Sequence, residues 1–154
     1  MAKGTIVGLC ISETMFVSMA EVDSVMALEG KGLEGDRYSR AEGRFNRDRA
    51  GHRQVTLMNA RFFEDTAFTF SDSRRNVFVE GVELMWLIGR EFQIGDATFE
   101  GVSYCDPCNL PSKRAGTEDS FMKTFEDCGG LIARIVHGGL LTVGDAVIPP
   151  PKGY

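Results

Sequence analysis

Phe92-Gln93-Ile94-Gly95-Asp96-Ala97-Thr98-Phe99 is the stretch on which the fold class turns. Apolar residues alternate on both sides of a Gly-Asp pair, the pattern of two extended segments joined by a turn or bulge. Leu141-Thr142-Val143-Gly144-Asp145-Ala146-Val147-Ile148 repeats the arrangement. Two such units are too short to prove a repeat architecture, but they make the second half of the chain strand-dominated.

Working outward, Arg53 to Met58 and Val77-Phe78-Val79 read as strands, the latter followed by a turn at Glu80-Gly81. Asn59 is placed to cap a helix from about Ala60 to Phe68, with Phe62, Phe63 and Ala67 as its apolar face. Thr117 is placed to cap a second helix, with Glu118 and Asp119 in its first turn and Phe121, Met122 and Phe125 inward, stopping at Gly129-Gly130. Leu131 to Val136 resumes strand, and Pro149-Pro150-Pro151 ends regular structure. Towards the N-terminus, Thr5 to Ile11 is β-branched and strand-like, whereas Val17 to Leu28 alternates too irregularly to assign. Gly30 to Asp36 breaks regular structure, and the charged segment through Gly51 is expected to be a long loop, the first candidate for a lid. Strands outnumber helices without regular alternation, so the expected fold class is mainly β, a barrel with a few short helices.

At 154 residues the expectation is one domain, 1–154, with its core over about 4–148 and a tail at 149–154. The net charge of -5 argues against nucleic acid as a partner. Locally the sign reverses: Arg37, Arg40, Arg44, Arg47, Arg49 and Arg53 face only Glu42 and Asp48, which suits a small anion as well as it suits a solvated basic loop. Cys10, Cys105, Cys108 and Cys128 do not form the framework of a small secreted protein and are expected as reduced thiols. Gly4, Gly8, Ser12 and Glu13 interrupt the apolar stretch a signal peptide needs, and no apolar run reaches a membrane span. The expected location is the cytoplasm, with no membrane partner.

Chemistry concentrates at Cys105-Asp106-Pro107-Cys108. A structural zinc site would need a second ligand pair, and a thioredoxin-like dithiol would need to start a helix, whereas Gly101, Pro107 and Pro111 suggest a loop leaving a strand. Two idle thiols, or one reactive thiolate serving as soft-metal ligand or sulfur carrier, remain. Arg74-Arg75-Asn76 stands at the mouth of a strand; guanidinium forks suit phosphate oxygens, and two arginines there are otherwise a surface pair. At Gly32-Leu33-Glu34-Gly35-Asp36-Arg37 a tight turn accounts for the glycines before a ligand does. His52 and His137 lack an acid or nucleophile at telling spacing, and neither a Ser-His-Asp set nor a phosphate loop is visible.

Taken in order, Gly32 to Arg37, Arg53-Gln54-Val55-Thr56-Leu57, Arg74 to Val79, Phe92 to Asp96, Cys105 to Cys108, Gly129-Gly130-Leu131 and Val143-Gly144-Asp145 resemble the motif series of the MOSC domain, named for the C-terminal part of molybdenum cofactor sulfurase. The resemblance implies a β-barrel that handles molybdenum cofactor, a phosphate-bearing pterin with a dithiolene-held metal. It implies Cys108 as the metal ligand, Cys105 as a neighbouring thiol, and Arg74, Arg75, Asn76, Arg37, Arg53 and Asp36 as groups for the pterin and its phosphate. The pyridoxal-phosphate-dependent desulfurase domain of the sulfurases and the extra N-terminal barrel of the reductases have no counterpart in this sequence, so no pyridoxal phosphate is expected on this chain alone.

Three functions follow from the resemblance. The first is a cofactor-binding protein acting in cofactor maturation or reducing N-hydroxylated compounds with electrons from a separate donor. The second is a sulfur carrier holding a persulfide on Cys108 without metal, and the third a noncatalytic module that docks cofactor or a partner enzyme. The implied partners are molybdopterin and a cysteine desulfurase, a cofactor-biosynthesis protein or an electron donor.

Overall fold

The computed structural model describes residues 3–42 and 52–151. In the hairpin of β7 (Glu91–Ile94) and β8 (Ala97–Tyr104), Phe92 faces Phe99 and Ile94 faces Ala97, so Gly95-Asp96 is a two-residue turn. Gly95 takes the left-handed conformation there, at φ 56°, and a side chain on it would also strike Asp145. The similar Gly144-Asp145 unit does something else. Its flanking strands, β10 (Gly139–Thr142) and β11 (Ala146–Ile148), do not pair with each other. Gly144 N–H donates to the Ile6 carbonyl and Ile6 N–H to the Asp145 carbonyl, so the dipeptide turns a corner between two sheets instead of closing a hairpin.

The larger sheet runs β11, β7, β8, β9 (Leu131–His137), β5 (Val55–Asn59), β6 (Val77–Glu80), β1 (Gly4–Ile11), and β1 returns to β11 through Gly4 and Val147, closing a seven-stranded barrel. β2 (Ala20–Glu21) extends β1 at the rim. β10, β3 (Ser24–Leu28) and β4 (Gly32–Leu33) form a separate three-stranded sheet, which resolves the irregular stretch after Val17. Only β5 and β6 are paired in parallel among the named strands of the barrel.

That parallel pair is buried on both faces, which is why β6 reads as an unbroken apolar run. Leu57, Val77 and Val79 point into the barrel with Ile6, Phe92, Phe99 and Leu131. Met58 and Phe78 point outward into an aromatic cluster with Phe63, Phe68, Phe121 and Phe125. Ring centroids there lie 5.1 Å apart for Phe68 and Phe121 and 4.9 Å for Phe63 and Phe125, the spacing of favourable tilted and edge contacts.

The connecting segments differ from expectation. The helix read over Ala60 to Phe68 is a single 3-10 turn, Ala60–Phe63. Asn59 belongs to β5 and caps nothing with its side chain, Asp65 adopts φ 59°, and the Thr66 hydroxyl takes the Phe63 carbonyl. Ala67 is exposed. A short helix, α1 (Leu110–Ala115), was not legible because six residues are too few to show a period. In α2 (Phe121–Thr124) Ser120, not Thr117, is the cap, accepting from Lys123 N–H at 3.2 Å, and Met122 points to solvent. Among the described residues no helix is long and apolar enough to cross a membrane.

Gly101 lets β8 pass under the 3-10 turn Leu84–Leu87; a Cβ at Gly101 would lie 2.2 Å from the Leu87 carbonyl oxygen. Gly101→Ala is therefore expected to destabilise the fold by about 1–3 kcal/mol, read as a lower urea midpoint at unchanged slope.

Candidate functional site

Arg53 stands just before β5 and Arg74, Arg75 and Asn76 just before β6, so the parallel pairing brings these residues to one rim. The loop leaving β8 carries Cys105 to Cys108 to the same place, as a loop rather than a helix start. Asp36 caps a 3-10 turn, Arg37–Arg40, by accepting from Tyr38 N–H, so this part of the expected loop has regular structure. Arg44, Arg47, Arg49 and the rest of 43–51 lie outside the described residues.

The result is a cleft lined by Arg37, Tyr38, Arg53, Arg74, Arg75 and Cys108, with Met15, Leu110 and Pro111 at its edge. Among the described residues no carboxylate lines it; Asp36 lies behind Arg37, fully buried, at 3.1 Å from its guanidinium. The remaining cations are satisfied by oxygens of the chain, since a buried charge left without partners is costly. Arg37 also donates to the Tyr38 hydroxyl and the Arg74 carbonyl, and Arg53 reaches the same hydroxyl at 3.1 Å. Tyr38 is thus an acceptor held between two guanidinium groups. Arg74, in the left-handed conformation at φ 63°, donates to the Val17 carbonyl at 2.6 Å. Burial, with the Arg37 and Arg114 charges nearby, pushes Arg74 down to about 10, so it stays cationic at neutral pH.

Arg75 has a positioning part. It donates to the carbonyls of Gly129, at 2.9 Å, and Asp106, clamping the cysteine loop against the start of β9. Gly129 makes that approach possible, because a Cβ there would lie 2.3 Å from the Cys105 carbonyl oxygen. Cys105 is buried, with Arg53 Nη2 at 3.4 Å from its sulfur, whereas Cys108 is half-buried on the cleft wall. For Arg53, burial opposes the charge, and the Cys105 and Tyr38 side chains more than offset it.

Two of the expected contact residues stand outside the cleft lining, bonded within the chain. The Asn76 amide is fully buried; its Oδ1 accepts from Thr56 N–H and hydroxyl, and its Nδ2 donates to the Cys10 carbonyl. Asp36 is committed to Ser12 N–H, Tyr38 N–H and Arg37. Neither lines the cleft, and neither do the two exposed histidines. Tyr38, Met15 and Leu110 were missed by sequence reasoning, and only the Arg-Tyr adjacency at 37–38 could have drawn attention to the first.

The cleft is narrow, about 40 Å³, room for a few waters. Two roomier hollows lie elsewhere: about 410 Å³ beside Arg61, Glu80 and Glu83, and about 150 Å³ beside Asp127 and Cys128. Their carboxylates oppose an anion, and burial with the Asp127 charge pushes the Cys128 thiol up. Among the described residues no group of three His, Cys, Asp or Glu could hold a metal ion.

Burial and the Glu21 charge push the Cys10 thiol up to about 12. Brief iodoacetamide treatment of the native protein at pH 8 should therefore modify Cys108 at least about tenfold faster than Cys10 or Cys105, as read by peptide mass spectrometry.

Comparison with known proteins agrees with this architecture. The MOSC domain model matches residues 49–148. No curated protein matches the chain by sequence. Among solved structures, the YuaD protein from Bacillus subtilis is similar at a TM-score of 0.73 and 19% identity, covering 96% of this chain and 97% of its own. YiiM from Geobacillus stearothermophilus is similar at 0.68 and 14% identity, covering 97% of this chain and 76% of its own. YiiM from Escherichia coli is similar at 0.63 and 17% identity, covering 99% and 71%. These likenesses concern the fold. With the matching domain model spanning the barrel from before β5 to the end of β11, the chain belongs to the MOSC domain family.

Proposed function

We propose that this protein binds molybdenum cofactor in the Arg37, Arg53, Arg74 and Arg75 cleft, with Cys108 as the thiolate ligand of the metal, and acts in cofactor maturation or in reduction of N-hydroxylated compounds. The observation that carries the reading is one half-buried thiol on the wall of a cleft lined by four arginines and, among the described residues, by no carboxylate. The donor set fits the group: guanidinium forks match phosphate oxygens, and a thiolate is a soft ligand suited to molybdenum. When bound, the cofactor supplies redox chemistry at its metal.

The chain's own residues bind and orient. Arg74, Arg53 and Arg37 offer positive charge to the phosphate, while Asp36 and Asn76 fix the strands and turn from which those arginines project. Arg75 holds the cysteine loop by its backbone and so sets where the Cys108 sulfur stands. Cys105, packed against Arg53, is the inner of the two thiols and is not assigned the metal. On this reading the chain is a single cytoplasmic unit carrying molybdopterin. Its electrons or sulfur come from a separate partner: an electron donor, a cysteine desulfurase or a cofactor-biosynthesis protein.

Protein from cells that make the cofactor is expected to contain near-stoichiometric molybdenum by elemental analysis, lost in Cys108→Ser and largely kept in Cys105→Ser. Arg74→Ala should weaken cofactor retention about 10- to 100-fold while circular dichroism stays native, the scale of losing charge-assisted hydrogen bonds. A sulfur adduct on Cys108 by intact mass, without metal, would replace this reading with the persulfide carrier. Undiminished cofactor in Cys108→Ser would make the protein a docking module.

A further inference from the structure

The segment between β1 and β2 has a feature that the cofactor reading does not explain. Five consecutive backbone carbonyls, those of Glu13 to Val17, all accept from arginine side chains. Arg40 donates to Glu13, Arg74 to Thr14, Met15 and Val17, and Arg114 to Met15 and Phe16. Within the segment the Ser12 hydroxyl adds contacts to the Thr14 and Val17 carbonyls, at 2.7 and 2.6 Å. Each carbonyl carries a partial negative charge and can stand in for an anion beside a cation, and among the described residues none of these five is bonded in a sheet ladder. Two of its side chains face solvent: Phe16 is 77% exposed and Val17 46%.

Met15 of this segment lines the cleft. The closed cleft, about 40 Å³, is far smaller than the few hundred Å³ typical of small-molecule sites. Hydrogen bonds from a guanidinium to a charged oxygen are roughly twice as strong as those to a neutral carbonyl, so an oxyanion outcompetes the carbonyls for Arg74.

We propose that Ser12–Val17 is a strap that closes the cleft by occupying Arg74 with main-chain carbonyls, and that an oxyanion of the phosphate class displaces it and opens the site. This rests on the reading of the cleft as an oxyanion site. Arg114, exposed on α1 and outside the cleft lining, is the outer latch: its hold on Met15 and Phe16 favours the closed state and lowers apparent anion affinity by the closed fraction.

The test uses the full chain and inorganic phosphate, with chloride at matched ionic strength as control. Hydrogen exchange over residues 12–19 is followed with and without phosphate, and calorimetric affinity is compared for wild type, Arg74→Ala and Arg114→Lys. The lysine keeps the charge but loses the forked geometry that spans two carbonyls. The proposal expects exchange in the strap to accelerate about tenfold on phosphate binding, and Arg114→Lys to bind about 2- to 10-fold tighter, the scale of one hydrogen bond removed from the closed state. Phosphate binding that depends on Arg74 but leaves strap exchange unchanged or slower, or that is no tighter in Arg114→Lys, overturns the strap and leaves the oxyanion reading standing. No phosphate binding by wild type or Arg114→Lys overturns both.

Discussion

Leu57, Met58 and Asn59 run beside Val77, Phe78 and Val79 in the same direction, and the Asn76 side chain locks that alignment to Thr56 while reaching across to the Cys10 carbonyl of β1. Most other features of the molecule follow from this parallel pair. A parallel connection needs a crossover, and the crossover over 60–76 supplies Phe63, Phe68 and Phe70 to the outer cluster. Because both strands enter from one rim, residues distant in sequence meet there as a ring of guanidinium groups. The barrel core behind them is apolar and closed, so the rim is where polar chemistry is placed.

Among the described residues those guanidinium groups outnumber the carboxylates paired with them. Asp36 neutralises one, and the others draw on Tyr38, Cys105 and main-chain oxygens from three loops. The arrangement stabilises the loops as well as the charges, since Arg74 and Arg75 each hold three carbonyls in place. It also leaves the local potential positive, because carbonyl dipoles solvate a charge without cancelling it. A protein acidic overall thereby carries a cluster of arginines at one rim.

The parts legible in the sequence were those set by near neighbours. The Gly95-Asp96 hairpin was readable because its register depends on two adjacent segments. Gly144-Asp145 looks the same and behaves differently, because its partners, β1, β3 and β7, are far away in the chain. The helix expected after Asn59 failed on the left-handed backbone of Asp65 and the competing local bonds of Thr66, which a hydrophobic period does not register. At the site, Cys108 and the arginines could be named from residue chemistry and family resemblance. That Asn76 is bonded to Thr56 and Cys10, and that Met15 and Leu110 line the cleft, are facts of tertiary contact with no local trace.

Barrel closure through Gly4 and Val147 joins the first strand of the fold to the last. During synthesis β1 emerges early and must wait, its edge unpaired, until residue 147 has left the ribosome. Closure is therefore a late event in the life of the nascent chain, and its loop entropy is met only once nearly every other pairing is in place. A chain of this design is most exposed to association with other nascent chains in that interval, and holding β1 apart is where a chaperone would help it most.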